Sequence, residues 1–374
     1  MSLPDLKKQD IFYSDGIKGI ARTQITKSFA YKLFYAISKT IPGDKFLIGT
    51  DFRNYSKELF NIICLAASHL HKEIYYAGEI SYDIFQFQNT LGLYDGAIFI
   101  SPQHGDAGWS GFKIFKRDNF EIEYESLKSL IASEVADYNP NDEVSNLFYH
   151  KLNLEKDYFL HIMKFFDPNN WKDFKIVING GNGLGGIIFK KFLSQFTKVN
   201  VITINTEPNE QFPHHIPNPL VPNNSLKLIE KLREERADLA ISLDQDGNSL
   251  VFIDETGIII NPNHLSALLL KIISKKYPGS KVGFDLKQSI GLNKKAEEYG
   301  LVGIKLSSSF KLINRSLRDL ELKYASESNG TYYYSDCNFS SSPIYTLFLI
   351  LELLNETNNK LSQEISNLNL STSL

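Results

Sequence analysis

The sequence predicts an α/β protein of three consecutive domains, each a sheet flanked by helices. A length of 374 residues, 43% hydrophobic and 22% charged, is ordinary globular composition and supports several cores at roughly 100–200 residues per domain. A short β-rich run, a Gly- or Asp-containing loop and an amphipathic helix recur in that order three times, without an exact sequence repeat. Breaks fall in the polar stretch 137–144, which contains Pro140, and at the turn Glu255-Thr256-Gly257. They divide the chain into 1–145, 146–257 and 258–374.

In the first domain Phe46-Leu47-Ile48-Gly49-Thr50 reads as a strand feeding a loop, a helix follows over 56–71, and 97–101 is a strand ending in a loop. In the second, 174–179 is a strand, 180–186 a turn and 187–196 a helix. Strand 201–205, helix 224–236 and strand 239–243 come next, the last running into Asp244-Gln245-Asp246-Gly247-Asn248. The third starts near Ile258 and alternates helix 263–276, strand 282–285, helix 289–299, strand 301–305, helix 309–319 and strand 324–326.

Composition excludes several classes of function. With only Cys64 and Cys337, no disulfide scaffold or cysteine-rich metal knuckle exists, and a reducing compartment is expected. Nucleic acid is not an expected partner, since 40 Lys+Arg balance 43 Asp+Glu and the charges are interspersed along helices such as 226–236. The longest apolar stretch, 344–354, is about half of the roughly 20 residues a bilayer needs and contains Glu352, so no membrane association is expected. The residues after Met1-Ser2-Leu3 are charged rather than an apolar export signal, which leads to a cytoplasmic expectation.

Open α/β sheets place ligands at the carboxyl ends of their strands, which singles out four loops. Gly181-Asn182-Gly183-Leu184-Gly185-Gly186 matches G-x-G-x-x-G between a strand and a helix, with Glu207 about 20 residues on. It fits either a dinucleotide site or a strand that must turn tightly into a close-packed helix. Asp244-Gln245-Asp246-Gly247-Asn248 alternates oxygen-bearing side chains around a glycine, as a Mg²⁺ or Ca²⁺ loop does, and as an Asp-Gly turn without metal also does. Ser101-Pro102-Gln103-His104-Gly105-Asp106 follows an apolar strand, and with Lys113 it offers a proton carrier and a phosphate partner. Ser326-Glu327-Ser328-Asn329-Gly330-Thr331 suits a polyol such as a sugar, or a solvated turn.

Taken in order, these strings resemble the α-D-phosphohexomutase superfamily, the phosphoglucomutases and phosphomannomutases, over residues 12 to about 368. Phe12-Tyr13-Ser14-Asp15-Gly16-Ile17-Lys18-Gly19 resembles the family's Phe-Gly-Thr-Asp-Gly-Ile-Arg-Gly, and Gly49-Thr50-Asp51-Phe52-Arg53 its Gly-Arg-Asp-Thr-Arg. The most specific string is Glu207-Pro208-Asn209-Glu210-Gln211-Phe212-Pro213-His214-His215-Ile216-Pro217-Asn218-Pro219, similar to a phosphomannomutase linker preceding the metal loop. The resemblance implies mixed sheets in each domain, four loops on one cleft, and a phosphoserine that exchanges its phosphoryl group with a hexose phosphate.

Several positions depart from that pattern. Gln103 falls at the phosphoserine position of the family's Thr-Ala-Ser-His-Asn-Pro, and an amide has no hydroxyl to phosphorylate. Ser101 falls on the family's threonine and serves only if the loop is rebuilt, because displacements of about 1 Å are costly. Asp244, Asp246 and Asn248, followed by Ser249, stand where the family has Asp-Gly-Asp-Gly-Asp-Arg, which implies a weakened Mg²⁺ site. Lys18 replaces an arginine beside the transferring phosphate, and Ser309 or Phe310 falls where a histidine is expected. His104, Lys113, Lys287 and Glu327 match the family, whereas Asn329 replaces a serine and Thr331 a histidine in the substrate loop. No Arg-x-Ser-x-Thr phosphate clamp follows Glu327, and 343–367 resembles the last helix of the third domain, so the fourth domain is expected to be absent.

The expectation is a phosphoglucomutase- or phosphomannomutase-like protein of carbohydrate metabolism with impaired catalysis, binding a hexose phosphate or a protein partner. Two alternatives stay open: an active intramolecular phosphotransferase using Ser101 or a clamp from another subunit, and a nucleotide-binding protein acting through residues 181–186.

Overall fold

The computed structural model describes residues 10–102, 107–117, 120–133, 138–139, 147–288, 290–306 and 310–369. The chain forms two compact units, Met1–Ile80 with Gln88–Leu154, and Ser81–Phe87 with Glu155–Leu374.

The first unit carries β1 (Phe12–Tyr13), β2 (Gly16–Ile20), α1 (Lys27–Thr40), β3 (Lys45–Thr50), α2 (Asn54–His69) and β4 (Glu73–Glu79). After α3 (Tyr82–Thr90), whose first turns belong to the second unit, come β5 (Gly96–Ile100), β6 (Trp109–Lys116), α4 (Tyr124–Ser133) and β7 (His150–Lys151). The sheet order is β1-β2-β6-β5-β3-β4-β7, parallel from β5 to β7 and antiparallel through β6, β2 and β1. Lys45-Phe46-Leu47-Ile48-Gly49-Thr50 and Gly96-Ala97-Ile98-Phe99-Ile100 are central because their apolar runs suit strands covered on both faces. Helix α1 starts where Thr26 Oγ1 accepts from the Phe29 N–H at 3.0 Å. It turns Ala30, Leu33, Phe34 and Ile37, spaced i, i+3, i+4, i+7, into the core.

The second unit holds two sheets. After α5 (Leu154–Ile162), β8 (Phe174–Asn179), α6 (Leu184–Leu193), β9 (Val199–Ile204), α7 (Leu226–Glu235), β10 (Leu239–Leu243) and β11 (Leu250–Asp254) build a sheet ordered β11-β10-β8-β9. Only β11 is antiparallel there. The last sheet, β13-β12-β14-β15-β16, is built from α8 (Pro262–Lys276), β12 (Lys281–Asp285), α9 (Ile290–Glu298), β13 (Val302–Leu306), α10 (Phe310–Asp319), β14 (Tyr324–Ser326), β15 (Tyr332–Tyr334) and β16 (Ser340–Ser341). Helices α11 (Pro343–Thr357) and α12 (Leu361–Ser366) end it. Helix α11 is the unit's central pillar, nucleated by Pro343 at its first position and by Ser342, whose Oγ accepts from the Tyr345 N–H at 3.1 Å. Trp171 and Phe192, from the second sheet's side, meet its Phe348 at ring separations of 5.0 and 5.4 Å.

All three sheets are mixed and flanked by helices, as expected. Two sequence readings are corrected. The helix expected over 187–196 begins instead at Leu184, because Gly185 and Gly186 are needed for close packing rather than for a loop. The single helix expected over 343–367 breaks after Thr357, where Asn358 takes a left-handed φ of 55°. Cys64 and Cys337 are buried free thiols. Among the described residues no helix is long and apolar enough to cross a membrane.

Candidate functional site

In the first unit, the antiparallel pairing of β2 with β6 sets Lys18 opposite Gly111, two residues from Lys113. Lys18 Nζ pairs with Asp15 Oδ2 at 2.8 Å, and Lys113 is 3% exposed. Burial opposes ionisation of Asp15, but Lys18 and then Lys113 outweigh it and hold the carboxyl below its ordinary range. Gly16, with φ of 147°, lies against the Phe112 carbonyl and both lysine chains, which is why a glycine stands there. The structure thus brings Lys18 and Lys113 together around one carboxylate. In the buried string at 49–53, Asp51 braces the entry to α2: it accepts from the Arg53 N–H at 3.1 Å and from Ser56 Oγ at 2.6 Å, and it pairs with the Arg53 guanidinium at 2.5 Å. Ser101 is 1% exposed with its N–H on the Gly111 carbonyl, so a nucleophilic role for its hydroxyl requires the strand end to open. Gln103, His104 and Ser309 lie outside the described residues, and Phe310 is described only as the first residue of α10.

In the second unit, the carboxyl ends of the parallel neighbours β8 and β10 carry the glycine loop and the Asp244 loop side by side. A Cβ on Gly183 would lie 2.2 Å from the Gln245 carbonyl oxygen, and one on Gly185 would lie 2.8 Å from Gly247 Cα. Gly180 and Gly186 approach each other just as closely. The first N–H of α6, from Leu184, donates to the Gln245 carbonyl at 3.0 Å. The glycines therefore admit protein backbone where a dinucleotide fold admits pyrophosphate, and residues 181–186 are buried. This packing role argues against the nucleotide reading. The string 207–219 docks on the same loop: Asn182 donates to the Glu207 carbonyl at 2.9 Å and pairs with His214 at 2.9 Å, while Pro217 covers Gly181.

Asp244 and Asp246 are both almost fully buried. Asp244 Oδ1 accepts from the N–H groups of Asn248 and Ser249 at 2.7 and 3.1 Å, which curls the loop back on itself. Asn248 Oδ1 accepts from Ser341 Oγ at 2.5 Å, which ties the loop to β16. Among the described residues no three His, Cys, Asp or Glu side chains gather in a way that could hold a metal ion. Two carboxylates and the uncharged Asn248 oxygen would leave the rest of a six-oxygen Mg²⁺ shell to water or phosphate, a donor set of low charge that suits a weakly held ion.

The substrate loop sits at the carboxyl end of β14, beside that of β12. Asp285, which the sequence reading passed over in favour of Lys287, organises both ends. Its Oδ1 accepts from the N–H groups of Lys287 and Gln288 at 2.8 Å each, and its Oδ2 from the Ser328 N–H and hydroxyl at 3.1 Å each. A carboxylate ending a strand two and three residues before free N–H groups is the available signal. Lys287 is exposed on this loop, and Glu327 is oriented by Asn329 Nδ2 at 2.9 Å and Tyr333 OH at 3.2 Å. Thr331 is fully buried against Ser249, 2.8 Å between hydroxyl oxygens, so it ties the substrate loop to the Asp244 loop instead of facing a ligand. With the Leu250 N–H on the Gly330 carbonyl at 3.0 Å, three of the expected loops meet within this unit.

At the strand ends of the second unit the exposed Lys287, the oriented Glu327 carboxylate and a curled acidic loop are carried on a layered α/β framework. Models of the phosphoglucomutase/phosphomannomutase α/β/α domains I, II and III match residues 9–140, 156–257 and 261–369. The chain belongs to the phosphoglucomutase/phosphomannomutase family. It is 27% identical over 356 residues to a phosphomannomutase of Methanocaldococcus jannaschii, covering 94% of this chain and 78% of the relative. Its fold matches a putative phosphomannomutase of Thermus thermophilus with a TM-score of 0.85 at 19% identity, covering 96% of this chain and 83% of the other. An N-acetylphosphoglucosamine mutase of Aspergillus fumigatus, solved with GlcNAc-6P and magnesium, matches with a TM-score of 0.60 at 10% identity, over 96% of this chain and 80% of that one.

Proposed function

We propose that this family member binds a hexose phosphate without running the phosphoryl relay. The observation that carries the reading is Gln103 at the phosphoserine position, where an amide offers no oxygen nucleophile. Asn248 in the acidic loop supports it, because an uncharged amide oxygen holds a cation that would assist phosphoryl departure less strongly than a carboxylate. The parts suited to binding are retained: Lys18 and Lys113 in the first unit, and Lys287 with the oriented Glu327 in the second. Two buried free thiols suit a cytoplasmic setting.

Thermal unfolding with glucose 1-phosphate, mannose 1-phosphate and glucose 1,6-bisphosphate tests this, with intact mass measured on the same samples. A ligand at about ten times its Kd stabilises by roughly 1.4 kcal/mol, so the expected result is a clear upward shift with no mass gain. A phosphate mapped to Ser101, or interconversion of the two phosphate positions, overturns the reading. No response to any sugar phosphate redirects it to a protein partner.

A further inference from the structure

A cavity of about 460 Å³ lies in the second unit, walled by Phe174 where β8 begins, Asp238 just before β10 and Glu255 just after the antiparallel β11. These positions share the amino edge of the second sheet, whereas the glycine and Asp244 loops share its carboxyl edge. The six residues of β8 separate the two edges by about 20 Å. This cavity is therefore no extension of the site described above.

Four cations converge on it from three segments: Lys172 ahead of β8, Arg233 and Arg236 at the end of α7, and Lys360 between α11 and α12. Two acids also line the wall and offset half of that charge, each held in place by hydrogen bonds from neutral donors. Asp238 Oδ2 accepts from the Lys175 N–H at 2.8 Å, and Glu255 accepts from the Ser362 N–H at 3.3 Å and from its hydroxyl. Among the described residues no ion pair engages any of the four cations. Lys172 is braced by Asn358 Oδ1 at 3.3 Å and by the Phe174 ring at 5.4 Å, and Arg233 by the Thr256 carbonyl at 3.3 Å. Arg236 holds φ of 50° and ψ of 47°, a left-handed helix end where glycine or asparagine is the usual occupant. Helix-dipole compensation accounts for the two arginines at the end of α7, but not for lysines brought from two other segments.

We propose that this cavity is a second ligand site of the protein, taking a small phosphorylated metabolite that bridges α7 to the α11–α12 turn. The chemistry matches: guanidinium forks bind phosphoryl oxygens in pairs, lysines add point charge, and the volume lies within the roughly 300–1,000 Å³ of small-molecule pockets. This site is independent of the hexose-phosphate reading and stands or falls separately.

The test is calorimetric titration of the full chain with pyrophosphate at low salt, comparing wild type with Arg236→Gly and Lys360→Gln. Arg236→Gly places glycine in a left-handed position, so it removes the guanidinium while relaxing the backbone, and Lys360 is exposed. Wild type is expected to bind with a Kd below about 1 mM, and the double variant at least about tenfold more weakly, with ligand-free unfolding temperature equal or higher. Unchanged pyrophosphate affinity in the double variant, or no binding by wild type, overturns the proposal. Hexose-phosphate binding lost on Lys287→Ala but kept in the double variant would show the two sites to be separate, whereas loss in both would merge them and also overturn it.

Discussion

Ser249 Oγ and Thr331 Oγ1 lie 2.8 Å apart, both buried, joining the Asp244 loop to the substrate loop. By the sequence resemblance, Ser249 falls at an arginine of the family and Thr331 at a histidine. Two positions distant in sequence thus meet in space as a pair of buried hydroxyls. Reverting only one member should fail. Ser249→Arg buries a guanidinium against Thr331 and is expected to cost roughly 3 kcal/mol, read by urea denaturation, whereas Ser249→Ala costs about 1 kcal/mol.

Gly183→Ala is expected to destabilise by at least about 2 kcal/mol, because the added methyl would sit 2.2 Å from the Gln245 carbonyl and neither backbone can yield freely. Neither wild type nor variant should bind a dinucleotide. Saturable NAD binding by wild type in equilibrium dialysis would contradict the packing role of this loop.

Removing Asp285 should release both ends of the substrate loop together. Asp285→Ala strips four acceptor contacts, and a loss on the order of 3 kcal/mol is expected along with weaker hexose-phosphate binding. Asp285→Asn keeps one oxygen for the Lys287 and Gln288 N–H groups but cannot accept from Ser328, so it should fall between. Equal losses in the two variants would show that only the charge matters.

Burial pushes the Asp83 carboxyl up to about 6, against hydrogen bonds from Ser81 and Tyr158 that favour its ionised form, with Asp244 adding repulsion. The unfolded chain releases this proton near pH 3.8 and the folded one only near 6, so rising pH ionises the unfolded state first and stability falls through that window. Below the unfolded value the effect vanishes. Asp83→Asn should therefore gain on wild type by about 2 kcal/mol between pH 4 and pH 7 in denaturation experiments. A constant difference across that range would mean that Asp83 is ionised when folded.

Strands with mostly apolar runs were legible from sequence to the residue, as at Phe174–Asn179 and Leu239–Leu243, because both faces of those strands are buried. The start of α6 was not, since glycine argues against a helix interior and only the approach of Gly247 and Thr206 explains Gly185 and Gly186. Strand β15, three consecutive tyrosines, carried a readable β signal that was passed over. For the site, residue type found the loops but not their internal wiring. That Thr331 turns inward, that Asn248 serves Ser341 and that Asp285 holds two loops are tertiary facts with no local periodicity to betray them.

Residues Ser81–Phe87 belong to the second unit although the chain on either side of them belongs to the first. Within that unit the Tyr82 N–H donates to the Asp246 carbonyl at 3.1 Å, Tyr158 donates to Asp83 at 3.0 Å, and Ser341 reaches Gln86 at 3.0 Å. No single cut therefore separates the molecule into two whole parts. A fragment starting at Glu155 would leave the Tyr158 hydroxyl without its carboxylate and Asp246 without its cap, while one ending at Leu154 would carry a peptide whose partners are missing. On the ribosome, this seven-residue insert emerges long before the residues it binds, so the acidic loop can reach its final shape only after Ser341 has been made.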